Sequence, residues 1–323
     1  RAPGTDSLFS TPIIERAPPA PVTAAEALRK RAGLSPGGPY RIDGKRVLFT
    51  AGVHRLQDDI IIPPGYQVVL EAGAELDLSA GAHFLSYSPV QALGTEDQPV
   101  KVFSNGSAPN GFTVIQAGEP SVMKYAVFEG LNALKEGNWE LTGAITFYEA
   151  DVQLYRCVFR NNHSEDGLNI IRSEFRLSHC LFSDTPSDAF DSDFCKGTID
   201  HCRFERTGND GMDFSGSIVH IEDCNLEENG DKGVSVGEES DVTLFRTAIR
   251  KANIAVASKD LSMLFIRELD MEDCEQGFVG FQKKPEFGGG KIIVESYNAK
   301  NIKRLHAISE GSMLQLGEQV VRE

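Results

Sequence analysis

The chain has 323 residues, 41% of them hydrophobic, and a formal net charge of −15. That length supports one large or two ordinary domains around a substantial core. The charge argues against a nucleic-acid partner, which needs basic patches to displace counterions, and no run of eighteen apolar residues offers a membrane span.

The chain opens at Arg1 without an initiator Met or a charged-then-apolar leader pattern, which reads as a processed or trimmed chain. Residues 1–22 are rich in Pro and Ala and read as a tether, a link to another domain, covalent or not. A capping box, Thr23-Ala-Ala-Glu26, then opens a short helix over 23–34. Its expected job is to close the apolar end of the strand-rich region beyond it. Residues 40–140 alternate between apolar runs and Gly/Pro turns with no helical period, and predict irregular strands.

From residue 144 the sequence is written in lines of about 22 residues, each headed by a small residue at 144, 167, 189, 211, 233, 255 and 277. Within a line the apolar residues alternate, as in Met212 and Phe214 or Val234 and Val236, and polar corners interrupt them. A fixed short period with period-two alternation predicts an all-β solenoid, a coil of parallel sheets over 144–323 continuing from 40–140 as a single domain. Asn162, Thr185, Thr207 and Asn229 recur at one turn position and are expected to bond backbone groups of neighbouring rungs. Cys157, Cys180, Cys202 and Cys224 recur in one column. Stacked side chains on successive rungs stand about 4.8 Å apart, too wide for a disulfide, so they read as small apolar filler. His179 and His201 share a corner column with no third ligand in register, and read as solvated corner residues.

The 22-residue rungs, inward aliphatic and cysteine stacks and Asn-bearing turn column resemble the right-handed parallel β-helix of the pectate-lyase-like superfamily. The resemblance covers roughly residues 40–323. It implies a protein that binds, cleaves or epimerises polysaccharide in a secreted, periplasmic or cell-envelope setting. Gly-His-Gly, Arg-Ile-Lys and Asp-Pro-His-Asp motifs of particular hydrolase and epimerase families are absent, so no individual family follows.

The stretch Ser187–Phe194 (SDAFDSDF) carries the chemistry. Alternation sends Phe190, Ser192 and Phe194 inward, so Asp191 and Asp193 face outward beside Asp213 and Ser215 of the next rung. Asp188 and Asp210 sit at the corner leading into the same sheet. Two carboxylates about 5 Å apart repel by ~3.5 kcal/mol at an effective dielectric of 20, so a cation, a retained proton or open water must relieve the cluster. Asp191, Asp193 and Asp213 match the hard-oxygen preference of Ca2+, the one cofactor expected; no organic cofactor is. Lys232 or His163 is the candidate base for elimination or epimerisation at a uronic acid, and Asp188, Asp191, Asp210 and Asp213 are the carboxyls available for hydrolysis. Tyr148, Asn169, Ser235, Lys259, Lys283 and Lys284 are expected to hold the sugar, with the loop around QKKPEFGGG as a flexible flap. The lysines beside the acids rank uronate lyase or epimerase chemistry first. A non-catalytic polysaccharide-binding or envelope module and a paired-Asp hydrolase are the alternatives.

Overall fold

The computed structural model describes residues 24–106, 108, 110–137, 139–309 and 311–322. The tether at 1–22 and Thr23 of the capping box lie outside the described residues. Each strand pairs in parallel with its copy one turn further on. Asp166–Ile171 pairs with Asp188–Asp193, then Met212–Ser215, then Lys232–Gly237, with Leu168, Phe190, Met212 and Val234 in one column. Eleven strands, from Ile60–Ile62 to Arg304–Ile308, make one side of the coil. The other two sides form a continuous 23-stranded sheet, because strands Asp241–Arg250 and Met263–Glu272 run around the corner between them. Antiparallel pairs, Arg41–Asp43 with Arg46–Phe49 and Met313–Leu316 with Gln319–Arg322, stand at the two ends.

Single left-handed residues make the corners. Arg156, His179, His201 and Asp223 form one column of positive φ, and Asn161, Asp184, Arg206 and Glu228 another. An L-residue pays a steric cost there, and the stacked coil offsets it with main-chain bonds from the next rung, such as His179 N–H to Asp200 O at 2.9 Å. Alternation restarts after each corner, which corrects one expectation: Phe194 is not inward. The strand ends at Asp193, Phe194 takes φ of 56°, and its side chain is 60% exposed.

Inside, Phe128, Phe159, Phe182 and Phe204 stack in series, with ring centroids 4.6–5.1 Å apart and planes within 9°. Offset stacks of this kind add to the burial of large apolar area. Cys157, Cys180, Cys202 and Cys224 are buried free thiols in their own column. The turn column behaves as its residue types require: Asn162 Oδ1 accepts from Leu131 N–H at 3.0 Å, and Asn229 Nδ2 donates to Thr207 Oγ1 at 2.9 Å. A serine ladder that sequence reading missed runs along another corner. Ser173 N–H reaches Cys195 Sγ, Cys195 N–H reaches Ser217 Oγ, Ser217 N–H reaches Ser240 Oγ, and Ser240 N–H reaches Ser262 Oγ, at 2.9–3.5 Å. Buried N–H groups need such partners.

The helix α1 (Ala24–Arg31) caps the flank of the coil rather than its end cross-section. Its Leu28 packs with Ile61, Leu85, Tyr87, Leu134 and Leu141, which roof the outer surface of the first rungs of the eleven-stranded side. Outward residues on those rungs can therefore be apolar. Beyond that roof the outward surface turns polar.

Candidate active site

One outward column of the eleven-stranded side reads Leu85, Thr113, Thr146, Asn169, Asp191, Asp213, Ser235 and Ala257 from rung to rung. Its polar middle coincides with the acidic stretch singled out in the sequence. Asn169 is buried and gives its amide to two carboxylates, Asp191 Oδ2 at 3.1 Å and Asp193 Oδ2 at 3.5 Å. Its own Oδ1 is buried without a partner, as is Oδ2 of the neighbouring Asp166. A buried, unpaired oxygen in an acid cluster marks a place where a proton or a ligand would be welcome.

Burial and mutual repulsion raise the carboxyls together. Burial pushes Asp166 up to about 7, with Asp188 and Glu165 adding to it against a hydrogen bond to Thr142. Asp210 also rises to about 7, through burial first, the opposing Lys232, and then Asp213 and Asp188. Asp191 stands well above the usual carboxylate range, through burial and then the charges of Asp166, Asp193 and Asp213. Asp191 nevertheless keeps an edge to solvent, whereas Asp210 is only 2% exposed. Asp188 and Asp193 are raised by burial, against the Asp210 N–H in the first case and the Asn169 amide in the second.

Two lysines answer part of this charge, in roles that sequence reading misjudged. Lys259 is not a free sugar-binding cation. It is 3% exposed and lies back across Gly237, where any Cβ would come 2.5 Å from its Cε. From there its Nζ reaches Ser235 Oγ at 3.0 Å and Asp213 Oδ1 at 3.4 Å. Lys232 is no resting base. Burial works against its ammonium, but Asp210 (Oδ1 at 3.3 Å) and Asp231 outweigh it and raise its pKa, so the proton stays.

The cation site expected at Asp191, Asp193 and Asp213 is also redrawn. Among the described residues, the carboxylate oxygens brought within 4.8 Å of one another are those of Asp188, Asp210 and Asp213. Asp188 Oδ1 is anchored by Asn209 Nδ2 at 2.6 Å and Asp210 N–H at 2.8 Å. Asp191 and Asp193 share the Asn169 amide instead. The donor set is hard and anionic, and suits Ca2+ over softer ions.

The remaining candidates lie around the rim. Tyr148 is half-buried and accepts from Arg172 Nη1 at 2.9 Å. His163 is exposed and lines a hollow of about 500 Å3 with Lys135, Glu140, Thr142 and Glu165. Lys284 Nζ pairs with Glu238 at 2.7 Å and Lys283 is exposed. Their loop is tied down rather than free: the N–H groups of Lys283 and Lys284 both bond Asp260 Oδ1, at 2.7 and 2.8 Å. Its glycines serve close packing, since a Cβ on Gly290 would meet Ser258 O at 2.1 Å. Glu238, Asp231, Asn209 and Asp260 escaped sequence reading, although Asn209 and Asp231, and Glu238 and Asp260, each stand 22 residues apart in turn columns that flank the strands.

The titration makes a stability prediction. Asp166 and Asp210 ionise near 3.8 when unfolded and near 7 when folded, so the folded chain holds more protons between those values. Their contribution is full below about pH 4 and is lost as pH rises through about 7. In thermal melts at about pH 5 and pH 8, Asp210→Asn is expected to narrow the gap by gaining stability relative to wild type at the higher pH. An unchanged gap would show that Asp210 is ionised and fully paired in the fold.

Comparison with known proteins agrees with this architecture. The family described as the right-handed β-helix region matches residues 136–279. No curated protein matches the sequence. Among solved structures, the chain is similar to the catalytic domain of a GH87 α-1,3-glucanase in complex with nigerose (9% identity, 84% of this chain and 63% of that one, TM-score 0.55). It is also similar to an alginate lyase from Paenibacillus sp. str. FPU-7 (11% identity, 80% and 99%, TM-score 0.44) and to a mannuronan C-5 epimerase module from Azotobacter vinelandii (9%, 84% and 91%, TM-score 0.39). The chain thus spans less than two thirds of the glucanase domain. Parallel stacking, three-sided rungs and the family match together identify the fold as a right-handed parallel β-helix.

Proposed function

We propose that the chain is a polysaccharide-active β-helix protein that cleaves a glycosidic bond with Asp191 as proton donor and Asp213 as its lysine-paired partner. One observation carries the reading: adjacent rungs put a carboxyl that burial pushes well above its usual range, Asp191, next to a carboxyl ion-paired to lysine, Asp213. Glycoside hydrolysis needs two carboxyls in opposite states, and environment is what separates them. Asn169 orients Asp191 through its amide, Lys259 pairs with Asp213, and Asp166 and Asp210, both raised to about 7, stand behind them. The polar column is long enough along the coil axis for several sugar units, with Tyr148 at one end and Lys283 at the other. The fold shared with the α-1,3-glucanase is compatible with this chemistry at 9% identity. An extracellular or envelope setting goes with such a substrate.

A second reading is favoured by the converging oxygens of Asp188, Asp210 and Asp213. There they would hold Ca2+ and present it to a uronate carboxylate, as in lyase or epimerase chemistry. The raised Asp191 carboxyl beside the lysine-paired Asp213 ranks hydrolysis above it, reversing the order drawn from the lysines. The test incubates the folded protein with neutral and uronic-acid polysaccharides, with Ca2+ or with chelator. New reducing ends without absorbance near 235 nm are expected. Ca2+-dependent absorbance at that wavelength would establish elimination instead, and binding without turnover would leave a non-catalytic module.

A further inference from the structure

The geometry points to a transition-metal site on the opposite part of the coil, at the corner of the 23-stranded sheet, formed by His179, Asp200 and His201. The two histidines leave the backbone from successive copies of one left-handed corner, with φ of 55° and 54°. Their rings therefore stack in parallel, centroids 4.7 Å apart and planes within 1°. Asp200 Oδ1 lies 3.2 Å from His201 Nδ1 and 3.9 Å from His179 Nδ1, which itself meets Ser178 Oγ at 3.0 Å. One ligand atom from each residue falls within 4.8 Å of the other two. The third ligand is the one sequence reading found missing. Asp200 lies at the end of a strand rather than in the histidine column, one residue before His201.

The surroundings prepare each ligand. Ser178 Oγ donates to Asp200 Oδ1 at 2.7 Å, and Arg176 holds the other oxygen at 3.4 Å, fixing the carboxylate plane. The far nitrogen of His201 faces Asp223 Oδ2 at 3.8 Å. That carboxylate is held by Arg246 at 2.8 and 2.9 Å, and a small closing movement of the ring would make it the companion that a metal-bound histidine usually has. Metal–nitrogen bonds of about 2.0–2.1 Å require the rings to tilt together. Both side chains have the freedom to do so, at 40% and 52% exposure. Two imidazoles and one carboxylate with open remaining positions select Zn2+, Ni2+ or Cu2+ and disfavour Ca2+. The carboxylate cluster on the other side of the coil, all oxygen, has the reverse preference.

The experiment titrates untagged protein with Zn2+ and Ni2+ by calorimetry and follows Co2+ by its visible spectrum. One ion per chain is expected. His179→Asn and His201→Asn are each expected to weaken it by at least about tenfold, as losing a ligand must cost no less than losing an outer-shell partner. Asn tolerates the left-handed corner, so these variants keep the backbone. Asp213→Asn is expected to leave transition-metal binding unchanged. Absence of saturable binding at one equivalent, or binding that survives both histidine substitutions, would overturn the assignment and leave the pair as a stacked corner ladder.

Discussion

Asp191→Asn is expected to lose about 10²–10⁴-fold in turnover while folding normally and still binding glycan. The amide keeps the shape of the carboxyl and removes the acidic proton. Burial and the charges of Asp166, Asp193 and Asp213 already push Asp191 toward its neutral form, so a neutral amide is expected to leave the melting temperature unchanged or raise it. Asp213→Asn removes the charge that Lys259 Nζ meets at 3.4 Å, leaving this buried ammonium with neutral oxygens and the more distant charge of Glu238. Its turnover loss is expected to be comparable, and its stability to fall, because a buried ammonium that loses its nearest counter-charge is costly. The double variant should lose little more activity than either single one, since the two groups act as a unit. Full activity in Asp191→Asn would remove the proton-donor role. Single-turnover kinetics beside equilibrium glycan binding distinguish lost chemistry from lost affinity.

The largest stability effect is expected at Phe182. Its ring is fully buried, stacked between Phe159 at 4.6 Å and Phe204 at 4.8 Å, and near Phe190 on the neighbouring side. Truncation to Ala opens a cavity across three rungs and is expected to cost about 3–5 kcal/mol. Phe182→Leu, which keeps most of the volume, should cost clearly less. Denaturant midpoints for the two variants measure the difference. Arg206→Ala is the contrast: its exposed bond to Asp184 at 2.7 Å is worth little in water, and the midpoint should barely move. Similar losses at Phe182 and Arg206 would mean that surface ion pairs, not the aromatic stack, hold the rungs together.

The parts of the molecule legible in the sequence are those that repeat. The heads of the 22-residue lines, the cysteine column and Asn162 to Asn229 each recur because stacked copies must fit one another. Asp191 beside Asp213 is legible for the same reason. Phe194 is misread because alternation is a property of extended backbone and ends where a left-handed corner resets it. Lys259 is misread because a long side chain can lie across a rung, and only the missing Cβ of Gly237 makes room for it to reach Asp213 two rungs away. Asp200 escapes notice because a metal cluster mixes positions from a strand end and a corner, which the repeat count keeps in separate columns. Leu28 and the hairpin around Leu134 and Leu141 cover a flank through contacts that no period encodes.

The serine ladder fastens one corner of the coil in both directions. Every N–H along it borrows an acceptor from the next rung, from Ala150 to Ser173 at 2.9 Å through to Ser240 and Ser262 at 3.1 Å. The residue that follows donates the other way: Lys196 N–H to Ser173 O, Ile218 N–H to Cys195 O, Asp241 N–H to Ser217 O and Met263 N–H to Ser240 O, at 2.8–3.2 Å. Loss of a rung from either end thus orphans donors in the rung left behind, like a row of clasps each fastened to both its neighbours.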